Sequence, residues 1–189
     1  KILPVEDSLI DGETYLIMDL LVELEDGSLA NIEIQKNGYA FTEERLSCYA
    51  ADLLMRQYTR IRGERGANFT YHDVKKVYVI VLYEKSTAEF HRHGDTSFHH
   101  GKIIYDTGLK LEMLDEYFLI ALDVFRKIPY AEDDKDDLHA WLSLLTTVTL
   151  ADAERNIKHY PWLEPIYQEI ALLRRNPEEV IGMWSEALR

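Results

Sequence analysis

The residues best suited to chemistry lie between Tyr15 and Gln35: Asp19, then Glu33 and Gln35 two positions apart. Side chains alternate along a strand, so Glu33 and Gln35 share a face of any strand that carries both. If Asp19 lies on the neighbouring strand across from Glu33, two carboxylates meet. Like charges directly opposite one another destabilise a sheet, and a divalent cation would offset that cost. A cation held there, beside a phosphate, makes the hairpin a site for phosphodiester chemistry.

Whether the carboxylates meet depends on the turn, Leu24-Glu25-Asp26-Gly27-Ser28. A two-residue Asp-Gly turn pairs Glu25 with Ser28 and moves Glu33 to the opposite face from Asp19. A three-residue loop with Gly27 left-handed pairs Leu24 with Ser28, Val22 with Ala30 and Asp19 with Glu33. The second register is preferred because it sorts the side chains. Met18, Leu20, Val22 and Leu24 join Ala30, Ile32 and Ile34 on one face, while Asp19, Glu23, Asn31, Glu33 and Gln35 take the other. A slip of one residue would scatter acids into the apolar set.

The elements around the hairpin follow from periodicity. Residues 1–13 read as a loop or connector. After Lys36-Asn37-Gly38, Thr42 is an N-cap candidate and Glu43 and Glu44 suit a first helical turn. The stripe Leu46, Tyr49, Ala50, Leu53, Leu54, Tyr58 and Ile61 predicts a helix to about Arg62, ended by Gly63 and Gly66. Lys76 to Tyr83, rich in β-branched and aromatic residues, predicts a buried central strand. Residues 90–100 read as a polar loop, 102–107 as a short strand, and 114–125 as helix or strand, with 117–124 favouring strand. Beyond Pro129 an acidic loop precedes helical patterns at 138–145, 150–159, 162–174 and 177–188. Strands interleaved with a long helix, then helices alone, indicate an α/β core at 1–128 with a helical C-terminal extension at 129–189.

Composition limits the function classes. The chain has 189 residues, one cysteine (Cys48) and no apolar run of membrane-spanning length. A lone cysteine excludes an internal disulfide and suits a reducing, cytoplasmic interior; no signal peptide is visible. The net charge of −13 opposes approach to nucleic acid. Basic residues nevertheless concentrate at Arg45, Arg56, Arg60, Arg62, Arg65, Lys75 and Lys76, and contact depends on the local charge.

Asp19, the turn, Asn31-Ile32-Glu33-Ile34-Gln35, the Arg45/Tyr49/Leu53/Gln57 helix and the strand around Val77–Leu82 together resemble the PD-(D/E)XK nuclease superfamily. They are most similar to its family transposases, related to the Rpn recombination-promoting nucleases. The likeness covers roughly residues 15–125. It implies a restriction-endonuclease-like fold, a mixed β-sheet flanked by helices. It also implies a metal-dependent DNA endonuclease linked to a mobile element or to recombination, using Mg²⁺ with Mn²⁺ as a substitute.

In that reading Asp19, Glu33 and the backbone carbonyl of Ile34 bind the metal. Asp19, Glu33 and Gln35 form the catalytic set, and Arg45 and Gln57 contact DNA, with Arg45 clamping a phosphate. A homodimer would serve to cut both strands. Gln35 departs from the lysine of the superfamily name, although the nearer family often carries glutamine. It can orient water but carries no charge and is no general acid or base. An acid on an N-terminal helix often supports such sites; Glu6 and Asp7 are candidates left unassigned.

Plainer readings stand beside these. Asp19 and Glu33 could be incidental acids on a solvated hairpin face, and Gln35 a surface residue at a strand end. Arg45 could pair with Glu44 or Asp52, Tyr49 could be core, and Gln57 an exposed helical glutamine. His91, His93, His99 and His100 lack zinc spacing and read as loop. Trp141, Trp162 and Trp184 read as helix packing. The rival functions are an inactive nuclease-fold interaction module and a hydrolase of RNA or a small molecule.

Overall fold

The computed structural model describes residues 2–3, 20–94, 96–128 and 136–175. The chain divides into two compact units, Lys1–Ile128 and Pro129–Arg189. The first is built on a six-stranded sheet of β1 (Ile2–Leu3), β2 (Leu20–Glu23), β3 (Leu29–Gln35), β4 (Val77–Tyr83), β5 (Phe98–Lys102) and β6 (Asp115–Ala121). Their order across the sheet is β1-β2-β3-β4-β6-β5. β1, β2 and β3 are antiparallel, β3, β4 and β6 run parallel, and β5 returns antiparallel to β6. With its helices, this is the mixed α/β sheet that the resemblance implies.

The turn between β2 and β3 takes the three-residue form. Leu24 N–H donates to Ser28 O at 2.9 Å, and Gly27 has φ +85°, where a side chain would be strained. Asp26 closes the turn by accepting from Ser28 N–H and Oγ–H at 2.9 and 2.8 Å. These two bonds hold the Asp26 carboxyl below its ordinary value. The ladder then pairs Val22 with Ala30 and Leu20 with Ile32, which is the preferred register.

Parallel neighbours need a crossover, and α1 (Glu43–Arg65) supplies it between β3 and β4. Glu43 and Glu44 occupy its first turn and Arg62 and Arg65 its last, each sign matched to the helix dipole. It ends at Gly66, φ +54°, and Gly63 remains inside the helix. Leu46, Tyr49, Ala50 and Leu53 of α1 pack on Leu21, Leu29, Val77, Val79, Val81 and Tyr83.

That packing decides which sheet face is covered. Asn31, Glu33 and Gln35 pair with Val79, Val81 and Tyr83, so they lie on the face beneath α1. The opposite face carries Ala30, Ile32 and Ile34, and Ile34 is 58% exposed. The polar set of the hairpin is therefore the covered one. The solvated-face reading of Glu33 is corrected, because the crossover helix lies over the acid rather than over Ile34.

Several element boundaries differ from the sequence reading. Ile2 and Leu3, read as loop, form a strand through pairing with Val22 and Leu21. Within 90–100, α2 (Ala88–His91) ends and β5 begins, and β5 rather than 102–107 is the short strand. Alternating polar and histidine residues hid β5, which is fixed by its partner β6. The ambiguous stretch is both things in turn: β6 to Ala121, then α3 (Leu122–Phe125).

The second unit contains α4 (Asp137–Leu145), α5 (Leu150–His159), a 3-10 turn at Pro161–Leu163 and α6 (Glu164–Arg175). Asp136 caps α4 through Leu138 N–H, and Thr149 with Asp152 forms a reciprocal cap on α5. Ala140, Tyr160 and Leu163 form its core, and Trp141 meets Trp162 edge-to-face at 5.5 Å. Buried Asn156 contacts Ser143 O, Thr147 Oγ1 and Tyr167 Oη through Nδ2. The 177–188 helix, Trp184 and residues 132–135 of the acidic run lie outside the described residues.

Candidate functional site

Glu33 is the centre of the candidate site. It sits on β3, flanked by β2 and β4 and covered by α1, with none of its surface exposed. Asn31 Nδ2 donates to its Oε1 at 3.0 Å and Gln35 Nε2 to its Oε2 at 3.3 Å. Both amides reach it because positions i−2 and i+2 share its face. A buried carboxylate is tolerated only where donors or cations meet it. Two amides along its own strand provide part of that support.

The end of β3 is fixed to its neighbour. Glu84 N–H donates to Gln35 O and Gly38 N–H to Lys85 O, both at 2.8 Å. A Cβ at Gly38 would lie 3.1 Å from Lys85 O, so a residue without a side chain suits this approach. One strand further, Ser86 Oγ–H and N–H donate to Asp123 at 2.8 and 3.1 Å. Burial raises the Asp123 pKa, but the Ser86 bonds and then the charge of His91 outweigh it and leave it lowered. These contacts tie together the C-terminal ends of β3, β4 and β6, the edge where open α/β sheets bind ligands.

Arg45, in the first turns of α1, pairs with neither Glu44 nor Asp52. Its Nε and Nη2 donate to the Tyr49 hydroxyl at 3.0 and 2.7 Å, and its guanidinium lies 4.7 Å from the Phe41 ring centroid. Four other cations of the basic stretch are matched by acids: Arg56 with Asp52, Arg60 with Glu23, Arg65 with Asp73 and Lys76 with Glu116, while Arg62, like Arg45, donates to a tyrosine hydroxyl, that of Tyr58. Arg45 has no acidic partner among the described residues.

Gln57 is buried, which corrects the exposed reading. Its Oε1 accepts from Lys75 N–H at 2.9 Å and its Nε2 donates to Lys76 O at 3.2 Å. Both polar atoms thus bind the backbone leading into β4. Tyr49 is fully buried in the core. Asp19 lies outside the described residues, as do Glu6 and Asp7.

The histidines separate. His91 reaches Asp123 at 3.1 Å, His99 packs edge-on to Phe90 and His93, and His100 bonds Glu116 at 2.8 Å while stacking on Phe118. Among the described residues no group of three or more His, Cys, Asp or Glu could hold a metal.

The donors present around Glu33 still suit a hard cation. They are oxygens: the Glu33 carboxylate and Asn31 Oδ1. Asn31 Oδ1 is buried with no hydrogen-bond partner among the described residues. The sequence reading placed Asn31 on this face but gave it no role; its spacing of two from Glu33 was the available signal.

Residues 6–185 match the model of the PD-(D/E)XK nuclease family transposases. The chain belongs to that family. Membership supports a nuclease-type function and the restriction-endonuclease-like fold, and nucleases of this kind generally use divalent metals. No curated protein and no solved structure matches the chain. No helix among the described residues is long and apolar enough to cross a membrane.

Proposed function

We propose that this family member is a divalent-cation-dependent DNA endonuclease, using Mg²⁺ or in its place Mn²⁺, in the service of a mobile element or recombination. The carrying observation is Glu33, a fully buried carboxylate held by two amides on the α1 face of the sheet. Asp19 joins it in this reading. It directly precedes Leu20, whose ladder partner Ile32 directly precedes Glu33. Ile34 adds its backbone carbonyl.

A bound Mg²⁺ would lower the pKa of a water and offset charge building on the phosphate. The chain's own groups have distinct tasks. Glu33 and Asp19 hold the cation, and Gln35, fixed to Glu33, orients water. Arg45 meets a phosphate oxygen with a guanidinium that no acid among the described residues neutralises. A clamp of this kind answers part of the objection raised by the net charge, since attraction to the backbone is set locally. Cutting both strands would require two such centres, hence a homodimer.

The test is cleavage of supercoiled plasmid DNA in Mg²⁺, with an RNA of equal length in parallel. Cutting of DNA that is lost in EDTA, in Asp19→Ala and in Glu33→Gln supports the assignment. Cutting that persists in both folded variants removes the site, and preference for RNA corrects the substrate. A wild-type protein that binds DNA or protein without cutting is the interaction module instead.

A further inference from the structure

Asn31 is fully buried, and its two polar atoms are treated differently. Nδ2 donates to Glu33 Oε1 at 3.0 Å, whereas Oδ1 has no partner among the described residues. The orientation of the amide is set by Glu33, because the reverse would turn oxygen against the carboxylate. Native proteins pair nearly all buried polar groups, and an orphaned oxygen costs free energy in the interior. Leucine or valine would suit a strand position beneath a helix without that cost. The orphan therefore calls for a reason, and its neighbour supplies one.

We propose that Asn31 Oδ1 is an oxygen of the divalent-cation site, acting beside the Glu33 carboxylate directly or through a cation-bound water. This rests on the reading of Glu33 as a metal ligand. Amide oxygen is a hard donor of the kind that Mg²⁺ and Mn²⁺ accept. The same amide then does two things: its N–H bond orients Glu33, and its oxygen adds to the site. Partners that orient a ligand or a bound water commonly change metal affinity ten- to hundredfold when removed.

The experiment is Mg²⁺ and Mn²⁺ titration by calorimetry on the full chain, without DNA, for wild type, Asn31→Leu, Asn31→Asp and Glu33→Gln. Asn31→Leu should weaken binding by about ten- to hundredfold. Asn31→Asp keeps an oxygen but loses the N–H bond to Glu33, so it should bind more tightly than Asn31→Leu. In the unmutated protein, substoichiometric Mn²⁺ should broaden the Asn31 side-chain amide resonances, a readout that needs no variant to fold. Wild-type affinity in Asn31→Leu, as for an asparagine that only holds a buried water, would overturn the proposal. So would broadening at Gln35 but not at Asn31. Those results, with binding still abolished in Glu33→Gln, would leave the Glu33 reading intact. Cation binding unchanged in Glu33→Gln would remove both.

Discussion

The Tyr49 hydroxyl accepts two hydrogen bonds from one guanidinium, Arg45 Nε at 3.0 Å and Nη2 at 2.7 Å. Tyr49 is fully buried, and its ring meets Phe41 at 5.8 Å, so the acceptor is anchored in the core. Phe41 also underlies the Arg45 charge. The arginine is thus held in one pose by groups that leave its charge unneutralised. Arg45→Ala should weaken DNA binding and reduce the slope of log affinity against log salt by about 0.9, one phosphate contact. Tyr49→Phe keeps the ring and the charge, so it should weaken binding with that slope intact and little change in Tm. Equal salt slopes in wild type and Arg45→Ala would remove the phosphate clamp.

Gln57 illustrates a different use of a polar residue on the same helix. Its amide closes on Lys75 N–H and Lys76 O, fastening α1 to the chain that enters β4. Gln57→Leu should leave a backbone donor and acceptor unpaired and lower stability by about 1–3 kcal/mol per group left unsatisfied. Denaturant unfolding measures this. DNA affinity of the folded variant should match wild type; a large loss with unchanged stability would restore Gln57 to the DNA surface.

The contrast between these two residues shows what the sequence made legible. Turn chemistry at Asp26-Gly27 and the sorting of side chains fixed the hairpin register, because a one-residue error would have mixed polar and apolar sets. The helical stripe through Leu46, Tyr49 and Leu53 located α1 for the same reason. What remained hidden depended on partners distant in sequence. Nothing near Glu33 says that α1 will lie on its side rather than over Ile34. Gln57 looks like any helical glutamine until the backbone 18 residues on is placed against it. β5 carries too few apolar residues to announce a strand and is defined by β6. Asn31 stood in plain view on the polar face, but its orphaned oxygen is a property of packing.

In the proposed mechanism Gln35 separates metal binding from water positioning. Its amide donates to Glu33 Oε2 at 3.3 Å, a weak bond that leaves the glutamine side chain usable by solvent. Gln35→Ala should lower turnover at saturating Mg²⁺ by about tenfold or more, a barrier change of about 1.4 kcal/mol. The Mg²⁺ midpoint should hardly move. Gln35→Lys brings an ammonium beside Glu33 that competes with the cation, so its Mg²⁺ midpoint should rise. Cleavage kinetics across a Mg²⁺ series check both, and a Gln35→Ala enzyme with wild-type turnover would reduce Gln35 to a strand-end residue.

Acid stability should depend on Glu116, near the start of β6. Lys76 Nζ lies 2.5 Å from Glu116 Oε1 and His100 Nε2 lies 2.8 Å from Oε2. The Lys76 hydrogen bond, opposed by burial and aided by His100, holds the carboxyl below its ordinary 4.5. Folding therefore favours the ionised form, and linkage gives the sign. The stabilisation is complete above the unfolded value, near 4.5, and is lost as pH falls through the lowered folded value. Glu116→Gln should melt a few degrees below wild type at neutral pH. The gap should narrow below pH 4.5 and close once the folded carboxylate is protonated. Thermal melts of both proteins between neutral and acidic pH measure it, and a gap that stays constant throughout would show that the pair contributes through packing rather than charge.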